Sequence, residues 1–114
     1  MHDFFRKSFV QEIKSFSDHY PGFELDILRD DLIHPFISGN KWRKLKGFID
    51  LTAKNQSTGL ISKGGAYSNH LLALSFAGSI FKLKTSAFVR GEEISDLNAV
   101  MALCKLNGMD IIPI

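Results

Sequence analysis

From Leu60 onward the sequence alternates short apolar runs with longer helical stretches, and this leaves the chain few ways to fold. Leu60-Ile61-Ser62 reads as a strand, turned by Gly64-Gly65. Ser68 to Phe81 is apolar nearly all round (Leu71, Leu72, Ala73, Leu74, Phe76, Ala77, Ile80), the pattern of a buried helix and not of a surface one. Lys84 to Arg90 is a strand centred on Ala87-Phe88-Val89. Leu97 to Leu106 is a second helix, with Val100, Met101, Leu103 and Cys104 inward and Gly108 at its C-terminal end. Asp110 to Ile114 is a third strand. Strand, helix, strand, helix, strand with short links predicts an open parallel α/β sheet with right-handed crossovers. Parallel strands are normally buried on both faces. Three strands and two helices make a thin unit, so the sheet is expected to be a piece of a larger one or to be completed by another chain.

The first half is less regular. Phe5, Phe9, Ile13 and Phe16 recur at helical spacing and predict an amphipathic helix over residues 4–16. Pro21-Gly22 is a turn. Phe23-Glu24-Leu25-Asp26-Ile27 alternates apolar and charged residues, as a half-buried strand does. Arg29-Asp30-Asp31 then forms either a solvated turn or a ligand-holding cluster, and residues 32–40 form a loop. A helix starts near Lys41, capped by Asn40 or Ser38, with Trp42, Leu45, Phe48, Ile49 and Thr52 on its apolar face. The polar break at 55–59 is the expected boundary between a first part, 1–55, and a small α/β part, 56–114.

Composition excludes several classes of function. Fourteen Lys and Arg against twelve Asp and Glu give a net charge of +2, too small to argue for nucleic acid. No apolar run approaches the ~18 residues of a membrane span, and charged residues interrupt the N-terminus, which therefore does not read as a secretory signal. Cys104 has no partner for an intramolecular disulfide, which fits a reducing compartment; the cytoplasm is the expected location. His2, His19 and His34 show no metal-ligand spacing, so no metal site is expected.

The chemistry gathers at two helix starts. In a parallel α/β sheet, ligands bind beyond the carboxyl ends of the strands, where Gly64-Gly65-Ala66-Tyr67-Ser68-Asn69-His70 lies. Glycines allow close backbone approach, and free N–H groups at a helix start favour an anion. The plainer reading is a turn with Ser68 or Asn69 as cap. The other start is Ser38-Gly39-Asn40-Lys41-Trp42-Arg43-Lys44-Leu45. A lysine becomes nucleophilic when desolvation, a helix N-terminus or nearby cations disfavour its charge. On composition alone, Lys41, Arg43, Lys44 and Lys46 read more readily as a solvated helix face.

Taken together, Asp30-Asp31, the Ser38–Leu45 stretch, the Gly64–His70 stretch and Arg90-Gly91-Glu92-Glu93 resemble, in order and spacing over about residues 23–114, the pyridoxal-phosphate enzymes grouped as 1-aminocyclopropane-1-carboxylate deaminase and D-cysteine desulfhydrase. The resemblance implies the open, parallel, three-layer α/β sheet of the tryptophan synthase β-subunit type, here truncated. It implies pyridoxal 5′-phosphate as cofactor, a small amino acid as substrate, a homodimer when intact, and α,β-elimination releasing ammonia and a 2-oxo acid. By position, Lys41 resembles the lysine that bonds the cofactor and moves the substrate proton, with Asn40 beside it. Asn69 resembles the residue on the cofactor's phenolic oxygen. Ser68 resembles the serine of substrate binding or proton transfer. Ser68, Asn69 and His70 resemble the carboxylate cradle, and Tyr67 a residue beside the ligand. His70, where the deaminases tend to have Gln, leans toward desulfhydrase activity over ring opening. Family members are roughly threefold longer, and their phosphate loop and pyridine-nitrogen contact lie beyond these residues. The chain as it stands is therefore expected to hold the cofactor poorly, and a non-catalytic remnant or interaction module is the reading of another class.

Overall fold

The structure is a computed structural model and describes residues 4–91 and 98–114. The C-terminal half folds as the alternation predicts. Strands β3 (Gly59–Gly64), β4 (Lys84–Val89) and β5 (Asp110–Pro113) form a parallel sheet in that order. The register pairs Ser62 with Ala87 and Ala87 with Ile111. Helix α3 (Asn69–Phe81) connects β3 to β4, and α4 (Ala99–Leu106) leads into β5. The helix start expected at Leu97 lies outside the described residues, as do Glu92 and Glu93.

Burial explains the layering. Along β4, Thr85, Ala87 and Val89 are buried, whereas Lys84 and Phe88 on the alternate positions are exposed. The buried set lies under α3 and α4, which also pack on each other. Ile61 and Ile112 join Phe88 on the other face, and all three are exposed. Among the described residues the sheet is thus covered on one face, which makes two of the three expected layers. The reason is geometric. Strand order β3-β4-β5 advances in one direction, so two right-handed crossovers of the same sense put both helices on one side.

Helix α3 is buried on most of its circumference, as its composition requires, with Leu71, Ala73, Leu74, Ser75, Ala77 and Gly78 inside. Gly78 is where it touches the sheet: a Cβ there would stand 2.5 Å from Thr85 Cγ2 and 2.9 Å from the Leu83 carbonyl. Cys104 is fully buried and behaves as a small apolar core residue. Asn98 caps α4, its Oδ1 accepting the Met101 N–H at 2.9 Å. Its Nδ2 donates to the Ala66 carbonyl at 2.9 Å, which ties the start of α4 to the turn after β3.

The N-terminal expectations need correction. No helix spans 4–16. The chain there is extended, with β1 at Val10–Glu12, and only Lys14–His19 forms a short helix, α1. Tertiary hydrogen bonds displace the local pattern: Arg6 N–H donates to Ile33 O at 2.8 Å, Arg29 N–H to Phe9 O at 2.8 Å, and Ile13 N–H to Leu25 O at 2.9 Å. Phe5 leaves the helical stripe altogether and stacks on Trp42 at 4.2 Å between ring centroids. The aromatic and β-branched residues of this stretch are weak helix formers, so little opposes the change. The expected half-buried strand is also shifted: β2 covers Asp26–Leu28, pairs antiparallel with β1, and is exposed along its length.

Helix α2 runs from Asn40 to Asn55. Leu45, Ile49 and Thr52 are its buried stripe, whereas Phe48, expected inward, stays 54% exposed. Neither Asn40 nor Ser38 caps it. The N-cap is Gly39, without a side-chain hydrogen bond. Helix α2 packs on α3, and Ile37, Leu45 and Ile49 share one buried cluster with Leu71, Leu74 and Met101.

Candidate active site

The loop before α2 is held from inside. The His34 Nδ1 lies 3.0 Å from the Phe36 nitrogen and 3.1 Å from that of Ile37 and accepts from both N–H groups. Partial burial pushes the His34 pKa down, in keeping with a neutral ring whose Nδ1 is an acceptor. Ile33 and Ile37 are buried on either side. Gly39 then takes φ +58° and ψ −133°, a region that side-chain-bearing residues avoid. Its N–H donates to the Asp30 carbonyl at 3.0 Å.

Asp30 also reaches forward into α2. Arg43 donates Nε–H to Oδ2 at 2.6 Å and a terminal N–H to Oδ1 at 2.9 Å. The Ser8 hydroxyl donates to Oδ1 at 2.6 Å. These bonds, Arg43 first and Ser8 second, hold the Asp30 pKa down at about 2. Neighbouring Asp31 is paired in the same bidentate way with Arg29, at 2.9 and 2.8 Å. The Arg29-Asp30-Asp31 cluster is therefore a set of ion pairs that shapes the loop. Lys41 is half-buried between the two places where Asp30 grips the chain.

The second helix start is organised by Ser68. Its Oγ accepts the Leu71 N–H at 3.2 Å, and its carbonyl accepts the Leu72 N–H at 3.1 Å. The N–H groups of Asn69 and His70 precede these and have no intrahelical carbonyl to bond. Gly64 fits closely against this turn: a Cβ there would stand 3.0 Å from Ser68 Oγ and 3.1 Å from the Leu71 side chain.

The two starts meet. A pocket of about 310 Å³ is lined by Asn40 and Lys41 from α2, Asn69 and Leu72 from α3, and the loop residues Asp31, Phe36, Ser38 and Gly39. Of the residues singled out in the sequence, it brings together Lys41, Asn40 and Asn69. Ser68 precedes Asn69 with its oxygen engaged in the cap. Tyr67 is 75% exposed and outside the pocket. His70 turns the other way, into a separate apolar cavity of about 120 Å³ with Leu45, Phe48 and Leu74. There its Nε2 lies 2.8 Å from the Ser62 hydroxyl. Burial and, behind it, the charges of Lys44 and Lys41 lower the His70 pKa.

Sequence reasoning missed four supporting residues. Ser8, Arg43 as partner of Asp30, and Ser62 carry no local signal, because each bond joins segments that only the fold brings together. Asn98 was legible: an Asn just before an apolar run is a helix-start signal.

The parallel α/β sheet thus has beside it one pocket onto which a half-buried lysine and a helix start with free N–H groups both open. Comparison with known proteins gives the chain a family. No protein-family model matches. A Thermotoga maritima protein named "Putative 1-aminocyclopropane-1-carboxylate deaminase" is 36% identical over 106 residues, which is 92% of this chain and 33% of that protein. A rice protein named "Putative D-cysteine desulfhydrase 2, mitochondrial" is 34% identical over 73 residues, 64% of this chain and 17% of that one. A crystal structure of an ACC deaminase homologue superposes with a TM-score of 0.76 at 25% identity, covering 100% of this chain and 34% of that one. The chain therefore spans about a third of the length of the Thermotoga protein and of the solved homologue. It belongs to the 1-aminocyclopropane-1-carboxylate deaminase and D-cysteine desulfhydrase family, a pyridoxal-phosphate-dependent one. Among the described residues no helix is long and apolar enough to cross a membrane.

Proposed function

We propose that this chain carries the lysine and the substrate-carboxylate side of a pyridoxal-phosphate-dependent amino-acid lyase of the D-cysteine desulfhydrase kind. The observation that carries the reading is the convergence of Lys41 and Asn69, from two different helices, on one pocket. The donor set fits the cofactor: a primary amine for its aldehyde, side-chain amides for its ring oxygen, and helix N–H groups for an anion. The pocket volume is at the small end of ligand sites, which begin near ~300 Å³.

In this reading Lys41 Nζ would hold the cofactor and, once the substrate's amine had displaced it and left it a free amine, would take the Cα proton of the substrate. Asn69 donates its side-chain amide to the phenolic oxygen, and Asn40 closes the same wall. The N–H groups of Asn69 and His70 would receive the substrate carboxylate, with the α3 N-terminus favouring its negative charge; the Ser68 N–H is engaged by the Gly65 carbonyl at 3.1 Å. The cofactor, when bound, supplies the electron sink for chemistry at Cα. Residues 1–55 would belong to the larger cofactor domain and 56–114 to a smaller α/β domain. The residues that grip the phosphate are expected outside the span shared with the relatives.

The longer match to the protein named as a 1-aminocyclopropane-1-carboxylate deaminase supports a second reading, ring opening of that substrate with Lys41 as the same base. One experiment addresses both. The chain is incubated with pyridoxal 5′-phosphate, reduced with borohydride, and its modified lysines are located by peptide mass spectrometry. Lys41 is expected to carry most of the label, and Lys41→Ala to lose it. D-cysteine is expected to protect Lys41 from trapping more strongly than 1-aminocyclopropane-1-carboxylate does; the reverse order would favour the deaminase. Label spread evenly over Lys41, Lys44 and Lys46 would sink the proposal and leave a non-catalytic module.

A further inference from the structure

We infer that Asp30 is a positioning residue for Lys41, holding the start of α2 from both sides of the lysine through its own backbone and side chain. The inference rests on the reading of Lys41 given above. Its geometric basis is independent of that reading. On the near side, the Asp30 carbonyl accepts the Gly39 N–H at 3.0 Å. On the far side, the carboxylate accepts both arms of Arg43, at 2.6 and 2.9 Å. Lys41 lies between Gly39 and Arg43 in sequence, so one residue fixes the chain on both flanks.

The arrangement does what an ordinary cap does not. Helix α2 has no side-chain cap, and its start contains Lys41, Arg43 and Lys44 with no acidic residue. Cations are disfavoured at a helix N-terminus. The Asp30 carboxylate supplies the missing negative charge from outside the helix. Ser8 fixes its Oδ1 from a third segment, so the carboxylate is not free to follow Arg43 if the helix start moves. A planar guanidinium on a carboxylate also sets orientation as well as distance. Lysine in place of Arg43 would keep the charge and lose the fork. Reacting groups are sensitive to such placement: a misplacement of ~1 Å can cost on the order of 100-fold in rate.

The test uses the full chain and three variants: Asp30→Asn, Arg43→Lys, and the exchange Asp30→Arg with Arg43→Asp. Two quantities are read. The first is hydrogen exchange over residues 36–44, with residues 71–81 of α3 as the internal control for folding. The second is the rate of borohydride trapping of pyridoxal 5′-phosphate at Lys41 relative to Lys44 and Lys46. Asp30→Asn and Arg43→Lys are expected to speed exchange over 36–44, leave α3 unchanged, and lower the relative rate at Lys41 by about tenfold. The exchange variant is expected to recover part of both. Unchanged exchange over 36–44 in Asp30→Asn overturns the inference, as does faster exchange with the Lys41 preference intact. Absence of any Lys41 preference in the unmodified chain instead overturns the lysine assignment, and the hydrogen-exchange arm still decides whether Asp30 holds the helix start.

Discussion

The Ser62 hydroxyl and His70 Nε2 lie 2.8 Å apart and join the middle of β3 to the first turn of α3. His70 is thereby turned away from the pocket that Lys41 and Asn69 share. The consequence is electrostatic. A half-buried imidazole beside Lys44 and Lys41 is disfavoured in its charged form, so its pKa is lowered, burial contributing most. Charge-removing variants separate the causes. Lys44→Met is expected to raise the His70 pKa, and Lys41→Met to raise it less, measured from the ring-proton shift by NMR titration. A fall in either variant would contradict the assignment of those charges to His70.

His34 gives the loop before Lys41 a pH dependence with a definite sign. Its folded pKa lies below the ordinary His value, about 6.5 in the unfolded chain. The unfolded state therefore binds the proton first, and stability rises with pH. The contribution is fully present above about pH 6.5 and is lost as pH falls through the lowered folded value. Protonation of Nδ1 would cost the Phe36 and Ile37 N–H groups their acceptor. Hydrogen exchange at Phe36 and Ile37, taken relative to the intrinsic amide rate at each pH, is expected to accelerate through this window. His34→Asn offers a side-chain acceptor that does not titrate, and the acceleration should flatten. Equal pH dependence in the two proteins would exclude His34 as its source.

Asp30 acts in the same direction at lower pH. Its folded pKa of about 2 is below the unfolded value near 3.9. Its contribution is present above that value and disappears as pH falls toward about 2. Acid unfolding of Asp30→Asn, followed by circular dichroism, should be shallower between about pH 4 and pH 2 than that of the unmodified chain. Parallel acid-unfolding curves would argue that the Arg43 pair adds nothing to stability.

Gly78 is a point of close approach between helix and sheet. Alanine there would put a Cβ 2.5 Å from Thr85 Cγ2, and overpacking of this kind costs about 1–3 kcal/mol. Urea denaturation of Gly78→Ala should show a loss in that range. Adding Thr85→Ser removes the clashing methyl and should restore part of it, though the Leu83 carbonyl at 2.9 Å remains. A neutral Gly78→Ala would mean that α3 can move off β4 at no cost.

Asn98 has two separable bonds. Asn98→Ala loses the cap on Met101 N–H and the bond to Ala66 O, and loss of a cap alone costs about 1 kcal/mol. Asn98→Asp keeps a cap oxygen and loses the donor to Ala66. The difference between the two in urea denaturation reports on the cap. Faster hydrogen exchange over residues 64–67 in both reports on the tie between α4 and the turn after β3. If Asn98→Asp proved as damaging as Asn98→Ala, the Ala66 bond and not the cap would carry the effect.

The sheet, the two helix starts and the family were legible because they rest on local signals: period, glycine turns, and polar residues placed at helix ends. The N-terminal segment departs from its sequence pattern for a physical reason. Phe5, Phe9, Ile13 and Phe16 have helical spacing, but the hydrogen bonds of residues 6–13 to residues 25–33 and the stacking of Phe5 on Trp42 outweigh a weak local preference. The start of α2 has no side-chain cap because its N-cap position falls on Gly39, which has no side chain to offer; Asp30, distant in sequence, contacts this start through Gly39 N–H and Arg43.

The sequence by itself determined the order of elements in the C-terminal half and singled out the side chains whose chemistry suits a site, since both follow from residue type and short-range spacing. Only the tertiary structure decided which of those side chains share a pocket. Lys41 and Asn69 converge because α2 packs on α3. His70, one residue further along the same helix, is rotated by about 100° around its axis and meets Ser62 instead.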